Sequence, residues 1–305
     1  MKITIAVLFV VLVILPVSAA GYIFWTYLQN DFVGVSTNLA LSNYLKNKPL
    51  PFAASLTVKV VTFNIQDLWV VGRNRPERMR HIGRVITAID PDIVGFQESF
   101  IAKDRAILLE ALRDSRLNYI AYYPSGTVGS GLLICSAWPI YDIQFKRYTK
   151  TNPAYRIWEG DFWAGKGAAL ARIESPQGMI DFYCTHAQAG YGVPNYRDVR
   201  VSQMKELAEF ITMSRTGTSP AILVGDMNCG EGREDYETVV KGANLTRAMN
   251  MESRIDHIFT VNDPKYQYEV LDTIRISETI NEGGRSFSLS DHAGYMSTIR
   301  VIPLK

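Results

Sequence analysis

The sequence predicts an α+β fold: two mixed β-sheets packed face to face, with helices over both outer faces. Three observations predict it. First, strand-like and helix-like stretches alternate early in the body. A strand over 58–64, V-K-V-V-T-F-N, precedes helical spacing over 77–88, where Ile82, Val85 and Ile86 share a face. A strand over 93–96 likewise precedes a helix over 103–114 carrying Ile107, Leu108 and Leu112. Second, 167–173 and 179–184 alternate about the turn Pro176-Gln177-Gly178, the pattern of an antiparallel hairpin. Crossover and hairpin connections in one chain give mixed sheets, and an outer cover of helices completes the layers. Third, no low-complexity run or linker interrupts 55–305, so these elements form one domain.

The remaining elements follow the same rules. Strands are expected over 119–123 and 131–135, joined by the glycine-rich turn around Ser130. Residues 150–166 form a loop with the aromatics Tyr155, Trp158, Phe162 and Trp163, and Arg156, Glu159 and Asp161 interleave with the rings, which is awkward for a fully buried segment. A helix over 199–211 has the apolar stripe Val201, Met204, Leu207 and Phe210. The apolar run Ile222-Leu223-Val224 is a buried strand, followed by a short helix over 233–241. Strands over 255–261 and 295–302 end the chain.

Ahead of this body, residues 3–25 carry no charge, long enough for a helix to cross a bilayer. Residues 1–28 are therefore expected to be a hydrophobic helix, either an uncleaved membrane anchor or a signal peptide. Pro16 followed by Ser18-Ala19-Ala20 marks where cleavage would fall. Lys2 on its N-terminal side places the body outside the cytoplasm, anchored, or secreted if the leader is cleaved. Residues 29–54 read as a tether, with one short helical stretch over 39–45.

In the whole chain, 32 basic residues against 30 acidic ones give a net charge of +2, so no basic surplus advertises a nucleic-acid groove. The three cysteines, Cys135, Cys184 and Cys229, fit neither a disulfide framework nor a zinc spacing.

Chemistry-bearing residues stand where apolar strands end. In I-L-V-G-D-M-N-C over 222–229, Asp226 and Asn228 project past the strand on the same side. The pattern repeats with Asn64, Glu98, His186, Asp256, Asp291 and His292, and the chain has only four histidines. Carboxylate and amide oxygens without thiolates suit a hard cation, magnesium or manganese.

These motifs, T-F-N at 62–64, Q-E-S at 97–99, T-H-A-Q-A at 185–189, G-D-M-N at 225–228, R-I-D-H-I-F at 254–259 and S-D-H at 290–292, resemble in order those of the endonuclease/exonuclease/phosphatase superfamily. The resemblance covers nearly all of the body and implies a deoxyribonuclease-like four-layer α/β sandwich. T-H-A-Q-A, R-V-S-Q-M-K-E-L at 200–207 and W-A-G-K-G-A at 163–168 are similar to its neutral sphingomyelinase branch. That resemblance, with the chemistry of each side chain, implies roles. Glu98, assisted by Asn64, would hold magnesium; His292 would be the general base, oriented by Asp256. Asp226 would help to hold the attacking water, and Asn228 and His186 would donate to phosphoryl oxygens, with Asp291 beside His292 in the same set. Lys166 would add positive charge, and Trp158 and Trp163 would meet the lipid. The secreted bacterial sphingomyelinases carry an apolar hairpin before the final S-D-H, where this chain has Asn281-Glu282-Gly283-Gly284-Arg285.

The expected function is magnesium-dependent hydrolysis of a phospholipid head group, sphingomyelin first, with a phospholipid membrane as partner. The alternatives are an exported, anchored nuclease of the same superfamily and a catalytically silent binding module.

Overall fold

The computed structural model describes residues 10–18, 21, 52, 54–153, 155–156, 158–192 and 195–304. In chain order the body consists of β1 (Leu56–Asp67), α1 (Arg75–Ile89), β2 (Ile93–Ser99), α2 (Ala102–Ala111), β3 (Tyr119–Tyr122), β4 (Leu133–Ser136), β5 (Ile140–Arg147), β6 (Gly167–Ser175), β7 (Gly178–His186), α3 (Arg197–Ser214), β8 (Ala221–Asp226), α4 (Glu234–Gly242), β9 (Leu245–Arg247), β10 (Asp256–Val261), β11 (Tyr266–Ile276), β12 (Thr279–Glu282), β13 (Arg285–Ser288) and β14 (Gly294–Pro303).

One six-stranded sheet runs β11-β14-β1-β2-β4-β3 and the other β5-β6-β7-β8-β10-β9. Each is mixed, with β1 and β2 parallel in the first and β7 and β8 parallel in the second. Those two pairs are where a helix returns the chain, α1 between β1 and β2 and α3 between β7 and β8, as a parallel crossover requires.

Period-2 alternation sorts the side chains into layers. Val58 and Val60 of β1 join Ile134, Phe182, Val224 and Ile299 between the sheets. Val61, Phe63 and Ile65 of the same strand face outward onto Met79, Ile82, Ile86 and Leu108 of α1 and α2. On the far side, Leu170, Tyr183 and Leu223 pack against Met204, Leu207 and Ile211 of α3 and Val239 of α4. The result is the expected order of helices, sheet, sheet, helices. Because central strands are buried on both faces, they read as continuous apolar runs.

Local signals set the helix ends. Pro76 opens α1, where a missing N–H costs nothing, and Asp90 closes it with a left-handed φ of 50° and an N–H bonded to Ile86 O. Gly83 lets α1 and α2 close on each other: a Cβ there would lie 2.4 Å from Ala111 Cβ.

Sequence reasoning missed β5, β9, β11 and the hairpin β12–β13. β5, β9, β11 and β3 are the sheet edges, and the first three are half-exposed, so polar residues interrupt their apolar pattern. The hairpin does form before the final S-D-H, with Asn281–Arg285 at its polar tip. Ile280 and Phe287 pack it inward, and His81 Nε2 meets Glu282 Oε2 at 3.1 Å, holding it against α1.

Of the N-terminal apolar run, residues 10–14 form a π-helical turn and 15–18 continue as α-helix. No helix among the described residues is long and apolar enough to cross a membrane. The rest of the expected leader, and the tether with its 39–45 helix, lie outside the described residues.

Buried His257, whose Nε2 lies 2.8 Å from Cys229 O, provides a stability test. Burial lowers its pKa from 6.5 to about 4. The unfolded chain therefore takes up a proton that the folded one refuses. Its contribution is present above pH 6.5 and is lost as pH falls towards 4, by up to ~3 kcal/mol. Chemical denaturation at each pH should show His257→Gln losing less stability than the parent over that interval; parallel curves would contradict it.

Candidate active site

The two parallel pairs end side by side, and their carboxyl ends build the site. In sheet register His186 lies beside Asp226, and Asp226 beside Asp256, so β7, β8 and β10 present a row of functional groups. Asn64 and Glu98 reach the same place from β1 and β2. His292 arrives from the turn before β14, which is fixed by Ser290 Oγ donating to Asn64 O at 2.7 Å.

Hydrogen bonds join the two sheets across this pocket. Asn64 Nδ2 donates to Asp226 Oδ2 at 2.9 Å, and Asn64 Oδ1 accepts from the backbone N–H of Gln66 at 3.1 Å. Asp226 Oδ1 accepts the N–H of Asn228 at 2.9 Å, holding Asn228 in a left-handed conformation, φ 51°. Asn228 Nδ2 donates to Ala187 O at 3.1 Å. Glu98 Oε1 stands 3.7 Å from His186 Nε2. Glu98 also has a φ of 59°, an unfavourable backbone for a side chain of its length. Gly225 before Asp226 is obligatory, since its φ is 156° and a Cβ would lie 2.2 Å from Thr185 O.

His292 Nδ1 and Asp256 Oδ2 are 2.9 Å apart, and His292 Nε2 points inward, 3.7 Å from Asp226 Oδ2. Burial opposes a charge on His292. The Asp256 hydrogen bond and the Asp226, Asp256 and Asp291 charges together outweigh it, lifting the imidazole to about 9. This is above the ordinary histidine value on which the base role was reasoned, and the cause is the surplus of carboxylates. Asp291 itself is exposed, its carboxylate accepting from Ser290 Oγ at 3.3 Å. It sits at the rim and acts through its charge.

Lys166 is a buried member of the pocket. Its Nζ lies 2.9 Å from His186 Nε2, 2.8 Å from Ala187 O and 2.7 Å from Asp161 Oδ1. An ammonium can only donate, so His186 accepts at Nε2. Burial, then Lys166 and His292, push the His186 pKa well below 6.5 and keep the ring neutral. The expectation that His186 itself donates to a phosphoryl oxygen is corrected on this point: Nε2 accepts from Lys166, whose three N–H groups are taken by His186, Ala187 O and Asp161, so the pair brings positive charge to the pocket.

Asp161 is the residue that sequence reasoning missed. It also accepts from Gln188 Nε2 at 2.7 Å and Ala189 N at 2.6 Å, tying the aromatic loop to T-H-A-Q-A. Glu159 is buried too, accepting from Asn152 Nδ2, Arg156 and Tyr196 OH. The charges among the rings had suggested an exposed segment. Instead they are the buttress, while Tyr155 and Trp158 are each 72% exposed and Trp163 is partly buried. An acid five residues before a glycine-flanked lysine was the available signal.

Whether these residues suit a divalent cation is decided by their charge. Burial raises Glu98 to about 7, and among the described residues its only ion-pair neighbour is the neutral His186. Asp226, Asp256 and His292 also bring ligand atoms within 4.8 Å of one another. There, however, Asp256 and His292 already satisfy each other, so Glu98 has the greater need of a cation. The donor set is hard, oxygen-rich and deficient in positive charge, and it fits magnesium or manganese at Glu98 with Asn64 beside it.

Comparison with known proteins gives the family of the chain. Relatives include a putative neutral sphingomyelinase of Drosophila melanogaster, 26% identical over 82% of this chain and 62% of that protein. Another, of Caenorhabditis elegans, is 31% identical over 67% of this chain and 48% of that protein. The chain thus spans less than two thirds of either relative. Among solved structures, a mutant beta toxin from Staphylococcus aureus with bound magnesium ions superposes with a TM-score of 0.63, at 19% identity over 80% of this chain and 99% of the toxin. Sphingomyelinase C from Streptomyces griseocarneus gives 0.61 at 18% identity, again over 80% and 99%. These structures share the fold. Residues 61–292 match the Endonuclease/Exonuclease/phosphatase family, and the chain belongs to it.

Proposed function

We propose that the chain is a divalent-metal-dependent phosphodiesterase that hydrolyses a sphingolipid head group, with sphingomyelin as substrate and ceramide and phosphocholine as products. The supporting observation is the convergence of Glu98, Asn64, Asp226, Lys166 and the His292–Asp256 pair on one pocket, in a chain whose relatives are named for sphingolipid cleavage. Glu98, with Asn64 beside it, would hold a divalent cation, whose charge would polarise a non-bridging phosphoryl oxygen and ease departure of the alkoxide.

The residues of the chain do the rest. Asp256 fixes His292 with Nε2 inward, and His292 takes the proton of the attacking water. The surrounding carboxylates hold its pKa at about 9, so the neutral ring that accepts the proton gains population as pH rises. Asp226 lies between His292 and Asn64 and holds the water by accepting a hydrogen bond. The Asn228 amide, with one N–H held at Ala187 O, presents its other N–H to the phosphoryl oxygens, and Lys166, bound at the same Ala187 O and to Asp161, adds positive charge beside them. The body acts at a membrane surface outside the cytoplasm, held there by residues 1–28.

The test offers the full chain sphingomyelin, phosphatidylcholine and plasmid DNA, each with magnesium or a chelator. Phosphocholine from sphingomyelin, only with magnesium, is the expected result. Nicked DNA with intact lipid would favour the nuclease, and no turnover at all the silent module. Exposed Trp158 should contact the lipid, as an indole suits the membrane–water interface. Trp158→Ala should therefore lower turnover of sphingomyelin vesicles more than turnover of a soluble choline phosphodiester. Trp163 sits next to the 160–162 turn leading to Lys166, so Trp163→Ala should lower both. Equal rates for both variants and the parent would remove the loop from lipid contact.

A further inference from the structure

Beyond the aromatic loop, the described body holds two neighbouring aliphatic side chains out in water. Val70 is 93% exposed and Val71 60%, at the tip of the turn between β1 and α1. A β-branched pair on a loose loop would fold back onto the nearest apolar surface. This turn prevents that, because it is tied from within. Gly72 N–H donates to Leu68 O at 3.1 Å, and Arg75 Nη1 donates to the carbonyls of Leu68, Trp69 and Gly72. Arg75 is itself pinned through Nε to Asp104 at 2.8 Å. Gly72 is required, since a Cβ there would meet Leu68 O at 2.5 Å.

Topology says what the tip faces. It leaves β1 just beyond Asn64, at the end of the first sheet that forms the pocket. Tyr155 and Trp158 rise from the β5–β6 connection of the second sheet, at the same end, beside Lys166. Two apolar projections, one from each sheet, therefore flank the pocket. Exposed Arg73 adjoins the tip, a charge suited to lipid phosphates. The β12–β13 hairpin makes no such projection: its tip is polar, and Arg285 Nη1 donates to Asn74 Oδ1 at 3.3 Å.

We propose that the Val70–Val71 tip inserts into the bilayer that presents the substrate, a second apolar foothold opposite the Tyr155–Trp158 loop. This rests on the reading of the substrate as a membrane phospholipid. Aliphatic burial supplies non-specific hold, the rigid turn avoids an ordering cost on docking, and two footholds fix the tilt of the pocket over the lipid head groups.

The test uses the full chain, so contact must be read at the tip itself, independently of the apolar N-terminal run. The native cysteines are all buried, which leaves an introduced thiol free for selective labelling. Val70→Cys, carrying an environment-sensitive fluorophore, should shift to the blue and resist an aqueous quencher when vesicles of sphingomyelin and phosphatidylcholine are added. Met213→Cys is the internal control: Met213 is 85% exposed at the carboxyl end of α3, at the pole away from the pocket, and its label should not shift. In the second arm, Val70→Ser/Val71→Ser should reduce the ratio of vesicle to soluble-diester turnover on the order of 10-fold. A tip label that stays in water on vesicle-bound protein overturns the inference. So does an equal shift at both positions, or a shift that needs only more protein and no vesicles, which would mark contact between copies. Because the label reports without turnover, a chain that inserts its tip but cleaves no phosphodiester would sink the functional reading separately.

Discussion

Glu98→Gln is expected to reduce turnover by roughly 10³-fold or more while leaving the metal-free protein at least as stable as the parent. A divalent cation is worth several kcal/mol to the transition state of phosphoryl chemistry, and an amide in place of the carboxylate removes the charge that holds it. The stability half follows from linkage. Burial raises Glu98 from 4.5 to about 7. A carboxyl with a raised folded pKa contributes stability that is fully present below pH 4.5 and is lost as pH rises through 7. At pH well above 7 the parent therefore carries a penalty of up to ~3 kcal/mol, which a neutral glutamine of the same shape escapes. Added magnesium should offset that penalty and raise the parent's Tm without moving the variant's. Thermal melts of both proteins, with magnesium and with chelator, read this without any substrate. Equal magnesium-induced shifts in the two would take the ion away from Glu98, and the Asp226–Asp256–His292 group would become its place.

His292→Ala is expected to cost roughly 10²–10⁴-fold in kcat, the range for loss of a positioned general base. Asp256→Asn should cost less, because the amide can still orient Nδ1 but no longer stabilises the imidazolium. The pH profile separates the two effects. Asp256 is among the groups that lift His292 to about 9, so its neutralisation should lower that pKa. A base works when deprotonated, so the acidic limb of the Asp256→Asn profile should move to lower pH. An unchanged limb would assign the limb to another group, and near-parental kcat in His292→Ala would remove the histidine from proton transfer altogether.

How much of this was legible in the sequence depended on burial. β1, β2, β7, β8 and β10 read plainly because both of their faces are covered. Their ends therefore marked Asn64, Glu98, His186, Asp226 and Asp256, which the fold does gather. β5 and β11 were invisible because an edge strand mixes polar and apolar residues. Lys166 and His186 were visible, but the other two partners of Lys166 were not: Asp161 lies on the loop before it and Ala187 on another strand end, and only folding brings them together. The same holds for charge. The sequence shows His292 as a histidine, while its elevated pKa comes from carboxylates up to 66 positions away along the chain, at 226, 256 and 291. Glu159 and Asp161 misled because charged residues in a loop usually face water, and here paired hydrogen bonds hold them buried.

The most direct measurement of the central claim follows the bond that breaks. Sphingomyelin is incubated with the full chain and magnesium in ¹⁸O-labelled water, and the products are weighed by mass spectrometry. Water activated at His292 and delivered to phosphorus predicts ceramide without label and phosphocholine carrying one ¹⁸O, with none formed in chelator. Label in the lipid product, or free choline with a phosphorylated ceramide, would contradict it.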